Sequence, residues 1–203
     1  MGHLGAPKVH IEIEVRDKEG RLIEKRKEES HSWVANFITA LRALMASYDL
    51  DDTPNALVTL GGDSWSYPNV TTQYHTILFA CAGEGEDLYG ILVGAGDTPV
   101  TLDDHTLATL IRHGDEAGKL HYNATTVEDL VRTDGGIQFK IVRTFSNNSG
   151  GDITVKEVGL AIRCNNVAGT AYILLARDVL ASAVTVPNGS TLTVRYIIQH
   201  AVS

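Results

Sequence analysis

Cysteine, proline and long apolar runs are all scarce in this chain. Of 203 residues, two are cysteine and five are proline. Cys81 and Cys164 allow at most one bridge, which excludes the disulfide frameworks of small secreted domains. The longest uninterrupted apolar stretch, residues 77–82, is far shorter than the roughly 20 residues of a membrane-spanning helix. Because residues 1–8 also lack the apolar core of a signal peptide, we expect a protein made in the cytoplasm.

Positive charge is in short supply as well. There are 17 lysines and arginines against 25 aspartates and glutamates, which gives a formal net charge of -8. No long basic run occurs, so we predict neither nucleic acid nor an anionic membrane as a partner. The 43% hydrophobic content is enough for a buried core, and 19 glycines favour many tight turns. Length and composition together predict a single domain over residues 1–203.

The motifs of common catalytic and cofactor sites are also missing. There is no Gly-x-Ser-x-Gly sequence. The glycine-rich residues 90–97 lack the Gly-Lys-Ser/Thr ending of a phosphate-binding loop and the third glycine of a dinucleotide-binding turn. The eight histidines are scattered, and the acidic loop at residues 49–55 lacks the glycine and final glutamate of an EF-hand. We therefore predict no enzymatic activity, no catalytic residue, no cofactor and no metal.

Hydrophobic periodicity predicts a β-hairpin followed by a helix. Residues 8–29 contain a strand with alternating apolar and charged residues, a turn ending at Gly20, and a charged returning strand suited to a sheet edge. Residues 30–48 then place apolar side chains at helical spacing, with Ser30 or Ser32 as the helix cap. We expect the hairpin and the helix to pack against the rest of the domain.

From residue 56 onward the pattern is mostly that of strands. Candidate strands, separated by turn residues, cover residues 56–60, 76–82, 90–93, 119–126, 137–145, 153–163, 170–176 and 191–200. One short helix is predicted at residues 103–111, with Asp103 or Asp104 as its cap. Many short strands with frequent turns predict a mainly β fold, an antiparallel β-sandwich of jelly-roll-like type.

Four charged residues stand among apolar strand residues, and they raise a question of pairing. They are Arg143, Glu157, Arg177 and Asp178. An isolated buried charge is very costly, so charges in these positions must be paired or lie at a seam. We hypothesise that Glu157 pairs with Arg177 or Arg143, within the subunit or across a subunit boundary. The alternative is that all four lie on a solvent-facing surface.

Aromatic residues are few, at 6% of the chain, and three of them fall in or next to a polar loop. Trp65 and Tyr67 lie in the loop at residues 61–72, and Tyr74 follows it. Exposed loop aromatics bind sugars or partner proteins, because they offer a large rigid surface at low entropic cost. These three residues are candidates for glycan or partner contact, and ordinary packing is the alternative.

The C-terminal third carries a series of short motifs. They are Arg143-Thr-Phe145, Asn147-Asn-Ser-Gly150, Ile153-Thr-Val-Lys-Glu157-Val-Gly-Leu160, Leu174-Leu-Ala-Arg177-Asp178-Val-Leu180, Val184-Thr-Val-Pro-Asn-Gly189 and Leu192-Thr-Val-Arg-Tyr196. Two upstream segments fit with them, Ser32-Trp-Val-Ala-Asn36-Phe37 and Gly94-Ala-Gly-Asp-Thr98. Together the motifs resemble a family of tailed-bacteriophage virion proteins found among head, collar and tail structural genes.

This resemblance covers most of the chain and implies a fold and an assembly rather than a chemistry. It implies a β-sandwich subunit located in the virion, held by contacts with other virion proteins and with copies of itself. Those partners would be the major capsid protein or the neck and tail proteins. Head decoration, vertex turret and neck or tail accessory subunit all stay open as positions. A carbohydrate- or receptor-binding β-sandwich of a phage tail or fibre is the alternative function.

Overall fold

The computed structural model describes residues 8–46, 57–65, 77–133, 136–166 and 169–201. Within these ranges, strands dominate and a single α-helix is present. Two larger antiparallel sheets contribute side chains to one continuous hydrophobic core. The prediction of a mainly β, sandwich-like antiparallel fold is confirmed.

The larger sheet has six strands. They are β1 (Lys8–Arg16), β2 (Leu22–Glu29), β7 (His121–Val127), β8 (Val131–Thr133), β9 (Gly136–Ser146) and β12 (Thr191–Ala201). The strand order is β2-β1-β12-β9-β7, and β8 pairs with the other end of β9. The N-terminal hairpin is therefore the edge of this sheet, as its charged second strand predicts, with Gly20 at a positive φ of 81° in the turn.

The second sheet has four strands, and a small two-stranded ladder lies outside both sheets. The four strands are β5 (Ile77–Phe79), β6 (Gly90–Gly94), β10 (Ile153–Asn166) and β11 (Gly169–Val186). The two-stranded ladder pairs β3 (Leu57–Val58) with β4 (Ser64–Trp65). β10 lies at the centre of the second sheet, with β11 on one side and both β5 and β6 on the other.

Alternation along β1 decides which side of the larger sheet faces the core. Val9, Ile11, Ile13 and Val15 are buried there. Glu12 and Glu14, between them, form ion pairs with Arg195 on the opposite side of the sheet. The apolar residues are therefore buried with the period of two that the sequence shows, as a strand with one core-facing side requires, and Glu14 is buried as well on the opposite side.

Side-chain and loop hydrogen bonds join the two sheets at both sides of the sandwich. On one side, Arg26 of β2 donates to the Ser182 hydroxyl of β11 (3.1 Å), and Glu28 accepts the Ala181 amide (3.1 Å). On the other side, the amide of Thr125 in β7 donates to the carbonyl of Ala82 (2.8 Å). The first two bonds link strands of different sheets, and the third ties β7 to the loop that follows β5, so together they resist sliding of one sheet over the other.

A long loop, residues 95–120 between β6 and β7, lies over the second sheet, and a short helix was predicted within it. We call this segment the covering loop. Residues 103–111 form turns and no helix, so that prediction is wrong. The loop is held by backbone bonds from Ala95 to Thr109 (2.8 Å) and from Ile111 to Val93 (3.0 Å). The helical spacing of its leucines reflects packing instead: the Leu107 side chain lies only 2.9 Å from where a Cβ on Gly159 would stand. Apolar side chains can therefore reach a sheet from an irregular loop that its backbone bonds hold in place.

The helix α1 (Ala35–Ala46) begins later than the sequence predicts. Ser30 does not cap it, because the Ser30 hydroxyl donates to Asp178 instead (2.8 Å). The segment before the helix runs extended along β11, where Val34 donates to the carbonyl of Leu175 (3.1 Å). α1 packs on β11 and β3. Within the described residues, no helix combines the length and the apolar character needed to cross a bilayer.

Candidate functional site

Glu157 and Arg177 form an ion pair inside the protein. Arg177 Nε lies 2.8 Å from Glu157 Oε2, and the two side chains are 2% and 0% exposed. A second carboxylate, Asp104, lies 2.8 Å from Arg177 Nη1. Burial opposes the charge of Arg177, but its hydrogen bonds to Asp104 and Glu157 outweigh burial and raise its pKa. The structure thus joins two of the four charged strand residues, with an acidic partner from the covering loop.

The Glu157 carboxylate also holds the covering loop against the second sheet. Its Oε1 accepts hydrogen bonds from the amides of Gly96 (3.1 Å) and Thr109 (2.8 Å), and its Oε2 accepts one from Ala108 (3.1 Å). A side chain at position 94 would block this arrangement, since a Cβ on Gly94 would stand 2.5 Å from Glu157 Oε1. The carboxylate therefore satisfies loop donors that would otherwise be buried without partners.

Arg143 does not join this ion pair and is held by carbonyl oxygens instead. Burial lowers its pKa to about 10. Its guanidinium lies 4.6 Å from the ring centre of Tyr122, within cation–π distance. The same guanidinium donates five hydrogen bonds, to the carbonyls of Gly83, Glu86, Tyr89, Ile91 and Asn123, at 2.6–3.2 Å. It therefore fastens the loop around residues 83–91 to β7.

Asp178, on β11, lies in the core beside the segment that precedes α1 and beside β12. The Ser30 hydroxyl donates to its Oδ2 (2.8 Å), the His31 amide donates to its Oδ1 (3.0 Å), and the Tyr196 hydroxyl of β12 lies 3.4 Å from Oδ2. Burial raises the pKa of Asp178 above its ordinary value, although these hydrogen bonds oppose the shift. All four charged strand residues are buried, so the alternative that they lie on a solvent-facing surface is wrong.

Replacing Asp178 with Asn is expected to change how stability depends on pH. Because folding raises the pKa of Asp178 above 3.8, the Asp178 carboxyl binds a proton more tightly in the folded state than in the unfolded state. Its contribution to the free energy of unfolding is largest below pH 3.8 and is lost as the pH rises through the folded-state pKa. Asp178→Asn lacks this loss, so its stability relative to wild type should rise across the same window. Urea unfolding of both proteins from about pH 4 to 7 measures the difference, and a constant difference would contradict the assignment.

A cavity of about 460 Å³ lies between the β3–β4 ladder and the beginning of β11. The two walls are tied by a hydrogen bond from the Leu60 amide to the Tyr172 carbonyl (2.9 Å). Trp65 reaches across the start of β11, since its Cη2 lies 3.9 Å from where a Cβ on Gly169 would stand. The lining consists of Thr59, Leu60, Gly61, Asp63, Trp65, Leu88, Thr170, Ala171 and Tyr172. Of the three predicted contact aromatics, Tyr67 and Tyr74 lie outside the described residues.

Counting only contacts among the residues that the structure describes, the polar groups at this cavity have unused hydrogen-bonding capacity. Thr59 Oγ1 accepts from the Asp63 amide (3.2 Å), which leaves its hydroxyl proton free to donate. Thr170 Oγ1 donates to Asn165 (2.9 Å), which leaves its lone pairs free to accept. Within the described part of the chain, the exposed Asp63 carboxylate has neither an ion-pair nor a hydrogen-bond partner. The cavity thus combines two aromatic side chains with one free donor and several free acceptors.

The outer side of α1 is a second candidate for contact with other molecules. Ile38 is 62% exposed and Leu41 is 39% exposed. Leu102 of the covering loop, whose carbonyl accepts the Ala35 amide at the start of the helix (2.8 Å), is 70% exposed. We call Ile38, Leu41 and Leu102 the α1 patch. Large apolar side chains grouped in this way are typical of contact surfaces.

Two partly exposed histidines, outside the motifs discussed above, lie next to each other. The rings of His113 and His121 are 4.8 Å apart, and His121 Nε2 lies 2.9 Å from Glu84. In the ranges described, no three His, Cys, Asp or Glu side chains are placed to hold a metal ion. The acidic loop at residues 49–55, considered above for calcium, lies outside those ranges.

Several site residues were missed by sequence reasoning. Asp104 was taken as a helix cap, although it is the second acidic partner of Arg177. Asp63 and Tyr172, which line the cavity with Trp65, were not singled out. The available signal was an aromatic residue, Tyr172, within the strand predicted at residues 170–176. Comparison of this chain with protein-family models, curated proteins and solved structures found no match.

Proposed function

We propose that this chain is a non-enzymatic structural subunit of a tailed-phage virion. In this role it assembles by protein–protein contacts with copies of itself and with other virion proteins, as a capsid decoration, vertex turret, or neck or tail accessory subunit. The motif resemblance of the C-terminal third supports the virion setting. The observation that carries the assembly is the α1 patch.

Helix α1 has apolar residues on both of its sides, although it packs on the protein with only one. Asn36, on the packed side, is buried and bonds both backbone groups of Val58 (2.9 and 2.8 Å). Ile38 and Leu41 are exposed, and the exposed Leu102 is tied to the start of the helix through its carbonyl, which accepts the Ala35 amide. Large apolar side chains that a helix leaves open to water are typical of a surface that another element or subunit covers. Covering one such side chain completely contributes roughly 1.5–3 kcal/mol, so a neighbouring subunit over the patch is favoured.

The proposal is tested by polar substitution in the α1 patch. The double variant Ile38→Ser/Leu102→Ser should lose self-association and binding to tailed-phage capsids stripped of accessory proteins, because it removes the apolar area that a neighbour would cover. Molar mass by light scattering and co-sedimentation with the capsids measure the two effects. Both positions are exposed, so the melting temperature should stay close to that of the wild type.

The matched control is Leu22→Ser/Ile23→Ser, which removes two half-exposed apolar residues at the start of β2. This control should assemble like the wild type. If both double variants assemble normally, the α1 patch is not the contact surface. If the wild type is a monomer that binds no capsid, the structural-subunit proposal itself fails.

A further inference from the structure

The cavity beside Trp65 has a chemistry that assembly does not use. Its two aromatic side chains come from separate elements, Trp65 from β4 and Tyr172 from β11. At about 460 Å³ it falls within the range of small-molecule sites, roughly 300–1,000 Å³. The indole Nε1 of Trp65 is buried and has no hydrogen-bond partner among the described residues, so the indole can offer a ligand its carbon atoms but not its N–H.

The Tyr172 side of the cavity, which forms its aromatic wall on β11, is held in place by further rings. Tyr172 stacks on Tyr89 with ring centres 5.8 Å apart and planes 25° apart. Phe79 meets Tyr89 edge to face at 5.8 Å, and the Arg163 guanidinium lies 4.2 Å from the ring centre of Phe79. A wall supported in this way loses little conformational entropy when a ligand packs on it.

The free polar groups select among ligand classes. Among the described lining residues, Asp63 carries the only formal charge and it is negative, which disfavours an anionic ligand. An organic cation would use the rings and the carboxylate, but it would leave the free donor of Thr59 without a partner. A ligand with hydroxyl groups uses that donor together with the acceptors of Asp63 and Thr170, because a hydroxyl both donates and accepts.

We infer that this cavity is a binding site for a pyranose ring of a neutral saccharide. The C–H face of the sugar packs on Trp65 and Tyr172, which are apolar and flat. Its hydroxyl groups donate to the Asp63 carboxylate and to Thr170, and one of them accepts from Thr59. The site is independent of the proposed assembly, because none of its residues belongs to the α1 patch.

The chain offers a direct optical test, since Trp33 and Trp65 are its two tryptophans. In Trp33→Phe, all tryptophan fluorescence comes from Trp65. We expect a saturable change in that fluorescence on titration with at least one of the methyl pyranosides of glucose, galactose and N-acetylglucosamine. Calorimetry of the same glycosides with the wild-type chain repeats the test without the substitution.

One variant at the cavity and one distant control sharpen the result. Asp63→Ala should raise the Kd for the active glycoside about tenfold or more, because it removes a charged hydrogen-bond acceptor. Asp129→Ala, at an exposed aspartate elsewhere, should leave the Kd unchanged. No saturable signal with any glycoside in either assay overturns the inference. Saturation by choline chloride instead would overturn it in favour of a cation site.

The outcome is separable from the test of assembly. The Ile38→Ser/Leu102→Ser variant should bind the active glycoside with the wild-type Kd, because both substituted residues lie outside the cavity lining. If sugar binding fails while assembly persists, only the inference is lost. If assembly fails while sugar binding persists, only the proposed function is lost.

Discussion

Replacing Glu157 with Gln is expected to lower the free energy of unfolding by about 3–5 kcal/mol. Four N–H groups donate to the two oxygens of this buried carboxylate: three loop amides and the Arg177 guanidinium. Glutamine offers one acceptor oxygen in place of two. Its –NH2 group would point N–H bonds at N–H groups that need an acceptor. The substitution also leaves Arg177 with Asp104 as its remaining acidic partner. Urea unfolding followed by circular dichroism measures the loss.

The matched control for this prediction lies one residue away. Lys156 pairs with Asp97 on the surface (2.7 Å), where both side chains are largely exposed. Lys156→Gln should change stability little, because a solvated ion pair is screened by water and salt. If Glu157→Gln is no more destabilising than this control, the carboxylate does not hold the covering loop as described.

Arg143→Met should be about as damaging, with a loss of about 4 kcal/mol or more in the free energy of unfolding. Methionine fills much of the space of the arginine stem but has no N–H to donate. The carbonyls of Gly83, Glu86, Tyr89, Ile91 and Asn123 would then lose a shared donor inside the protein. An unsatisfied buried carbonyl costs about 1–3 kcal/mol, and partial relaxation keeps the sum below five such losses. Urea unfolding measures the total effect.

Amide hydrogen exchange locates the effect of this substitution. The Gly85 amide, which donates to the carbonyl of Tyr122 (2.9 Å), should exchange much faster in Arg143→Met because the loop opens locally. Arg112→Met is the control, since Arg112 pairs with Asp87 of the same loop from the exposed side (3.2 Å). The control should cost at most about 1 kcal/mol. Equal protection of Gly85 in Arg143→Met and wild type would contradict the role assigned to Arg143.

Local patterns in the sequence were enough to predict the mainly β fold and most of its strands. The alternation along β1 corresponds to burial of Val9, Ile11, Ile13 and Val15, and the charged β2 lies at a sheet edge. Such patterns depend on the spacing of side chains along a single strand, which the sequence displays directly. The burial cost of an unpaired charge likewise predicted that Glu157 needs a cationic partner, and Arg177 is that partner.

Features that depend on distant segments were not predictable in this way. β11 continues to Val186, well past the predicted end at residue 176. Arg177 and Asp178 resemble the end of a strand in sequence, but each has partners from other elements inside the protein. The covering loop imitates a helix because Leu107 reaches the second sheet through irregular backbone. In each case the deciding contact lies far away along the chain.

The candidate sites likewise combine residues that local sequence patterns point to with residues that only distant contacts bring together. Trp65 was identified from the sequence as a contact candidate because exposed aromatic residues on loops bind sugars or partner proteins. Asp63 and Tyr172 join it only through the hydrogen bond between Leu60 and Tyr172 that brings the β3–β4 ladder to β11. The exposed half of α1 was hidden for a different reason: apolar residues at helical spacing predict a buried face, and spacing alone does not say how much of the helix is covered.

Molar mass by light scattering on the purified wild-type chain tests the central claim, that this protein is an assembling structural subunit, most directly. The chain mass is 21.9 kDa. We predict a closed oligomer, seen as a fixed integer multiple of that mass that persists on dilution, because closed symmetric assemblies saturate. A mass of one chain at every concentration, together with no binding to stripped capsids, would contradict the account.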